Sequence, residues 1–158
     1  MGTEGEETRE SREVIVSLGS NIAPREEYLA SARLLLSELP ETRMVAASRV
    51  IETKGVDVPE EFCDRDFLNQ ILILESSLPP LEFSRRMHAI EDRLGRVRTV
   101  KNGPRTIDID LIKFGEVRME SEELTLPHPR AKERAFVMEP LKELIAKKGI
   151  DFLDRNMI

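Results

Sequence analysis

The segment Gly103-Pro104-Arg105-Thr106-Ile107-Asp108-Ile109-Asp110-Leu111 gathers groups suited to phosphate chemistry. On a strand, residues two apart share a face. Ile107, Ile109 and Leu111 are therefore expected in a core, with Asp108 and Asp110 projecting together from the other side, about 7 Å apart at Cα. An amphipathic strand with carboxylates on a wet face would carry the same pattern, and context separates the two readings. Residues 85–105 hold Arg85, Arg86, Arg93, Arg96, Arg98, Lys101 and Arg105 against Glu91 and Asp92 alone. A hard divalent cation such as Mg²⁺ binds through one or two carboxylates plus substrate phosphates. Two such ions bridged by paired aspartates and a polyphosphate would form a phosphoryl-transfer site. Arg93 and, in part, Arg96 are accounted for by the dipole of the helix they end. Arg98, Lys101 and Arg105 lie beyond it, where guanidinium forks can take phosphate oxygens.

No Walker-type loop and no Gly-rich dinucleotide fingerprint occurs, so a nucleotide would be held by carboxylate-bound metal and arginines. Leu124-Thr125-Leu126-Pro127-His128-Pro129, followed by Arg134 and Phe136, adds a hydroxyl, an imidazole and another guanidinium. His128, fixed between prolines, is a candidate phosphate donor or a turn stabiliser. His88 sits at the edge of an apolar helical stripe and reads as a boundary residue. Cys63 has no partner at disulfide or metal-ligand spacing and reads as a free thiol.

The elements that must position these groups follow from periodicity. Val14-Ile15-Val16-Ser17-Leu18 reads as a buried strand stopped by Gly19-Ser20-Asn21. A helix follows from Pro24, with Tyr28, Leu29, Ala32, Leu35, Leu36 and Leu39 on one face and Pro40 as its stop. Met44 to Ile51 is a second strand, Thr53 to Asp66 a loop, and Phe67 to Leu74 a third strand. Pro79-Pro80 opens a second helix bearing Phe83, Met87, Ile90 and Leu94, capped by Gly95. Ile107 to Phe114 is the fourth strand, turning at Gly115 into a short further strand. Glu133 to Ala146 is helical and interrupted by Pro140. The expectation is an α+β, ferredoxin-like βαββαβ core with a C-terminal extension, in which helices cover one face of a largely antiparallel sheet.

The 158 residues, with 24 Lys+Arg against 30 Asp+Glu and a net charge of −6, fit one globular domain. Residues 1–13 carry five Glu against two Arg, so half of the net charge lies in a stretch without apolar periodicity. Residues 1–12 are expected to be a disordered acidic tail and 13–158 a single domain. No apolar run suits a membrane span and the start is acidic, which points to a cytoplasmic protein. An acidic chain with one basic segment suits a compact polyanion such as a nucleotide better than a long nucleic acid.

Taken together, Gly19-Ser20-Asn21, Phe67-Leu68-Asn69, Gly95-Arg96-Val97-Arg98, Gly103 to Asp110, and Leu126-Pro127-His128 with Arg134 and Phe136 closely resemble the 6-hydroxymethyl-7,8-dihydropterin pyrophosphokinase family of folate biosynthesis. The resemblance runs in order from about Val14 to Leu144. It implies transfer of pyrophosphate from MgATP to the pterin hydroxymethyl group, with release of AMP. By the same resemblance, Asp108 and Asp110 hold two Mg²⁺ ions, and Arg96, Arg98 and Arg105 join them as catalytic residues. Glu91, Leu111, Thr125, His128 and Arg134 complete the ATP side. Phe67 and Phe136 stack the pterin, with Asn69, Thr53, Gly19 and Val56 around it. The expected partners are small molecules, with no nucleic acid and no membrane, and the expected state is a monomer.

Departures from the family pattern are Thr53-Lys54-Gly55 in place of Thr-Pro-Pro, a shorter loop before Gly103, Asn102 in place of a tryptophan, and Glu123 in place of an arginine. They keep a second expectation in play, a catalytically impaired relative that binds nucleotide and pterin. A ferredoxin-like RNA-binding module is disfavoured by one Tyr, no Trp and a negative charge.

Overall fold

The computed structural model describes residues 10–22, 24–53, 66–95 and 106–148. The acidic tail up to residue 9, Cys63 with the rest of loop residues 54–65, and residues 96–105 of the basic segment lie outside them. In chain order the elements are β1 (Arg12–Ser20), α1 (Arg25–Ser37), β2 (Thr42–Ala47), β3 (Ile51–Thr53), β4 (Phe67–Ser76), α2 (Pro80–Arg93) and β5 (Asp108–Phe114). A small hairpin, β6 (Met119–Glu120) and β7 (Thr125–Leu126), a single 3₁₀ turn (Ala131–Glu133) and α3 (Ala135–Lys148) follow. The main sheet runs β2-β4-β1-β5, with β3 also on β4, and every pairing is antiparallel. Each helical crossover skips one strand, which is the split βαβ order expected from the sequence.

α1 buries Leu29, Ala32 and Leu36, and α2 buries Phe83, Met87 and Ile90, against the face formed by Val14, Val16, Leu18, Leu72 and Leu74. Phe83 meets Phe114 edge to face, with centroids 5.5 Å apart, the arrangement favoured by the ring quadrupole. Gly95 leaves α2 at φ +88°, the left-handed conformation its cap position requires.

Three expectations need correction. The second strand is not continuous from Met44 to Ile51 but breaks at Ser48–Val50. The break is fixed by distant partners: Gln70 Nε2 donates to the Ser48 carbonyl at 2.6 Å, the Ile71 N–H donates to Ser48 Oγ at 2.9 Å, and Arg33 of α1 donates to Gln70 Oε1 at 2.8 Å. Nor do all helices cover one face. α3 packs Val137 and Leu141 on Ile15, Ile71 and Ile112 on the opposite face, which the alternating strands leave apolar at that end. α3 also runs through Pro140 without a break.

At the other end of that sheet, Glu13 lies directly across from Glu75, with Lys113 nearby. Burial first, then the Glu75 charge, push the Glu13 carboxyl above its usual value, and Lys113 only partly opposes them. A raised native pKa means that the folded state prefers the neutral acid, so this group favours folding at low pH and opposes it once pH rises through its native pKa. Glu13→Gln is therefore expected to raise Tm at pH 7. The gain should shrink as pH falls to 4, as read by thermal melts across that range.

Candidate active site

The register of three strands assembles the site. Gly19 of β1 pairs with Asn69 on β4 and with Asp108 on β5, and Ser17 pairs with Asp110. On the far side of β4, Ile51 pairs with Asn69 and Thr53 with Phe67. These residues lie on one pleat face, the face that α3 covers further along. Because neighbouring strands lie about 4.8 Å apart, Asn69 and Asp108 face one space from about 10 Å apart. Ile107, Ile109 and Leu111 point the other way into the core, as the alternation predicts.

Between the two outer strands Gly19 leaves room. A Cβ there would stand 3.3 Å from Asn69 Oδ1 and 3.7 Å from Phe67 Cδ2, so any side chain would enter the space these two groups face. Asn69 is 4% exposed, and its Nδ2 donates to Thr53 Oγ1 at 2.6 Å. That bond fixes the amide orientation and turns Oδ1 toward the open face, with the second N–H also available. A buried amide, with bonding capacity left among the described residues, beside a half-buried phenyl ring suits a flat, polar-edged heterocycle.

On the carboxylate side, Ser20 Oγ donates to the Thr106 carbonyl at 2.6 Å, which ties the end of β1 to the start of β5. Glu91 of α2 is 1% exposed and accepts the Ile109 N–H at 2.6 Å and a bond with His88 Nδ1 at 3.0 Å. It therefore braces the backbone between the two aspartates from beneath. Arg134 stands with one guanidinium nitrogen 3.6 Å from Asp110 Oδ2 and its Cζ 5.7 Å from the Phe136 ring centre. This links the aspartate pair to the aromatic that opens α3.

His128 follows the cis Leu126–Pro127 bond and donates its backbone N–H to the Ile112 carbonyl at 2.8 Å. Its Nδ1 accepts the Arg130 N–H at 3.1 Å, so a neutral ring carries its proton on Nε2, as a donor. Burial first, then Arg134 and Arg130, lower the imidazole from its ordinary value of 6.5. The unfolded chain therefore takes up this proton first as pH falls. The stability it contributes is complete above 6.5 and is lost as pH drops from there toward the lowered native value. Melts between pH 7.5 and 5.5 are expected to show a shallower decline in Tm for His128→Gln than for the wild type.

The fold thus brings together Gly19, Thr53, Phe67, Asn69, Asp108, Asp110, Arg134 and Phe136, with His128 joined to the back of β5 and Thr125 on the adjoining hairpin. It does not bring the Glu91 carboxylate or the Leu111 side chain onto this face, since both lie in the interior. Val56, Arg96, Arg98 and Arg105 lie outside the described residues. Glu123, an oddity in the sequence, forms a two-point ion pair with Arg85 of α2 at 2.7 and 3.0 Å that fastens the β6–β7 hairpin to the helix. Sequence reasoning missed the Ser20 tie and the Glu91 brace, because Gly19-Ser20-Asn21 and Glu91-Asp92-Arg93 read locally as a polar turn and a charged helix face, with no sign of a distant backbone partner.

The donor set fits magnesium. Among the described residues no three His, Cys, Asp or Glu side chains converge, so no all-protein cage exists. Two half-buried carboxylates with a guanidinium already drawn to one of them match a cation completed by substrate phosphates.

Comparison with known proteins decides the family. Residues 15–146 match the model of 7,8-dihydro-6-hydroxymethylpterin-pyrophosphokinase (HPPK). The 2-amino-4-hydroxy-6-hydroxymethyldihydropteridine pyrophosphokinase of Bacillus subtilis is 40% identical over 129 residues, 82% of this chain and 75% of that protein. The chain belongs to the HPPK family. The Pseudomonas aeruginosa member is 37% identical over 131 residues, covering 83% of this chain and 79% of its own. A solved Plasmodium falciparum HPPK-DHPS superposes with a TM-score of 0.62 at 14% identity, covering 88% of this chain and 41% of that longer one. That likeness supports the α+β fold. HPPK membership makes the chain a pyrophosphokinase of folate biosynthesis. Among the described residues, no helix is long and apolar enough to cross a membrane.

Proposed function

We propose that the chain transfers the pyrophosphoryl group of MgATP to the hydroxymethyl oxygen of 6-hydroxymethyl-7,8-dihydropterin and releases AMP. The observation that carries this reading is the shared register row in which Asn69, Gly19 and Asp108 are neighbours. It sets a heterocycle pocket and a carboxylate pair side by side. The pterin lies over Gly19, its edge bonded to Asn69 and Thr53 and its faces on Phe67 and Phe136, with Val56 a further pterin contact that the family resemblance implies. Its hydroxymethyl group then points toward the aspartates.

The hydroxymethyl oxygen bonds to the β-phosphorus, the bridge from that phosphorus to the α-phosphate oxygen breaks, and the hydroxyl proton leaves to solvent. Asp108 and Asp110 hold two Mg²⁺ ions, which when bound neutralise charge on the triphosphate. Arg134, with Arg96, Arg98 and Arg105 as the family resemblance implies, supplies positive charge to the phosphates, and His128 Nε2–H donates to a phosphate oxygen. Thr125 and the Leu111 backbone line the nucleotide side, and Glu91 serves it by holding β5 in place. The remaining barrier reduction comes from placing the hydroxyl in line with the β-phosphorus.

The protein acts as a cytoplasmic monomer on small molecules, with residues 13–158 as one domain; Arg12, assigned to the acidic tail from the sequence, is the first residue of β1. Incubation with ATP, Mg²⁺ and hydroxymethyl-dihydropterin is expected to release AMP and no ADP, and chelation with EDTA to stop it. Formation of ADP would overturn the reaction. Binding of both substrates without AMP would favour an impaired relative.

A further inference from the structure

Arg25 occupies the first position of α1, where the helix dipole disfavours a cation, and Glu26 and Glu27 beside it follow the usual acidic preference. Its side chain is engaged elsewhere. One guanidinium nitrogen donates to Glu52 Oε2 at 2.9 Å and to the Asp66 carbonyl at 2.8 Å. Glu52 precedes Thr53 at the end of β3, and Asp66 precedes Phe67 at the start of β4. A single group therefore joins the two strand ends that present Thr53 and Phe67.

β3 needs such help. It has three residues, and Thr53↔Phe67 is its terminal pair. A strand so short holds its register poorly alone. If that pair opens, Asn69 Nδ2 loses its 2.6 Å bond to Thr53 Oγ1, and the amide facing Gly19 can turn.

We infer that Arg25 is a positioning residue for the pterin, acting through Glu52 and Asp66 on Thr53, Phe67 and Asn69, and not on ATP. The inference rests on the proposed pterin side of the site. Arg25→Gln is expected to raise the KM for hydroxymethyl-dihydropterin about fivefold. The KM for ATP and kcat should stay within about twofold, because the aspartates are held separately through β1 and Glu91. Arg25→Lys, which keeps a cation able to reach one acceptor, should recover part of the loss. An unchanged pterin KM in folded Arg25→Gln, or a parallel rise of both KM values with a fall in Tm, would overturn the inference. If Arg25→Gln does not fold, Glu52→Gln serves in its place: a raised pterin KM supports the clamp and a wild-type value overturns it. Calorimetric Kd values for the pterin are measured alongside turnover. A wild type that releases no AMP would overturn the functional reading, while the Kd values would still decide the clamp.

Discussion

Replacing Asp110 by asparagine, and in a separate variant Asp108, is expected to lower kcat about a thousandfold, roughly 4 kcal/mol of transition-state stabilisation, with little change in Tm. Both side chains are half-buried on a strand whose place is fixed by other means. Those are the β1 pairs to Ser17 and Gly19, the Ser20 tie to Thr106 and the Glu91 bond to Ile109. Asparagine keeps the shape and removes the charge. Among the contacts of the described residues, the fold loses a partly exposed pair between Arg134 and Asp110, and such pairs contribute little to stability. The proposed Mg²⁺ site loses one of two protein ligands. Steady-state kinetics at saturating Mg²⁺, paired with melting curves, separate the two effects. Near-normal turnover in both variants would remove the metal role from the pair.

Asn69→Leu is expected to lower kcat/KM for the pterin about a hundredfold and to leave the Kd of a nonhydrolysable ATP analogue within about twofold. A site built around a polar group discriminates strongly because its own buried donors and acceptors are left unpaired when the match is lost. Leucine is close to asparagine in shape, so the core should tolerate it, with Thr53 Oγ1 losing the donor Asn69 Nδ2 at a half-buried position. Calorimetry with each ligand in turn reads the split. A parallel weakening of both ligands would mean that Asn69 supports the fold and not the pterin.

The strands and helices that carry the chemistry were legible because their local pattern and tertiary role agree. Alternation from Asp108 to Leu111 placed the aspartates on one face, and the pleat there is regular, with the register shift coming later, opposite Ile15 and Val16. Gly95 and Gly115 were readable as turns because both adopt positive φ. The break in the second strand was not legible, since its cause is Gln70 and Arg33, far away in sequence. The face chosen by α3 was equally hidden. Val137 and Leu141 define an apolar side of the helix but carry no information on which side of the sheet receives it. In the site, the motif residues were visible as types, yet the bonds that hold them, from Ser20, Glu91 and Arg25, exist only once the strands are paired.

Two strand pairings carry the central claim, because they put Asn69 and Gly19 of the proposed heterocycle pocket beside Asp108, which suits transfer of two phosphates together. A single turnover with enzyme in excess, Mg²⁺, hydroxymethyl-dihydropterin and ATP radiolabelled at the β-phosphate tests it directly. The β label is expected on the pterin, while a parallel sample labelled at the α-phosphate yields labelled AMP. A β label that stays with the adenosine as ADP would contradict the account.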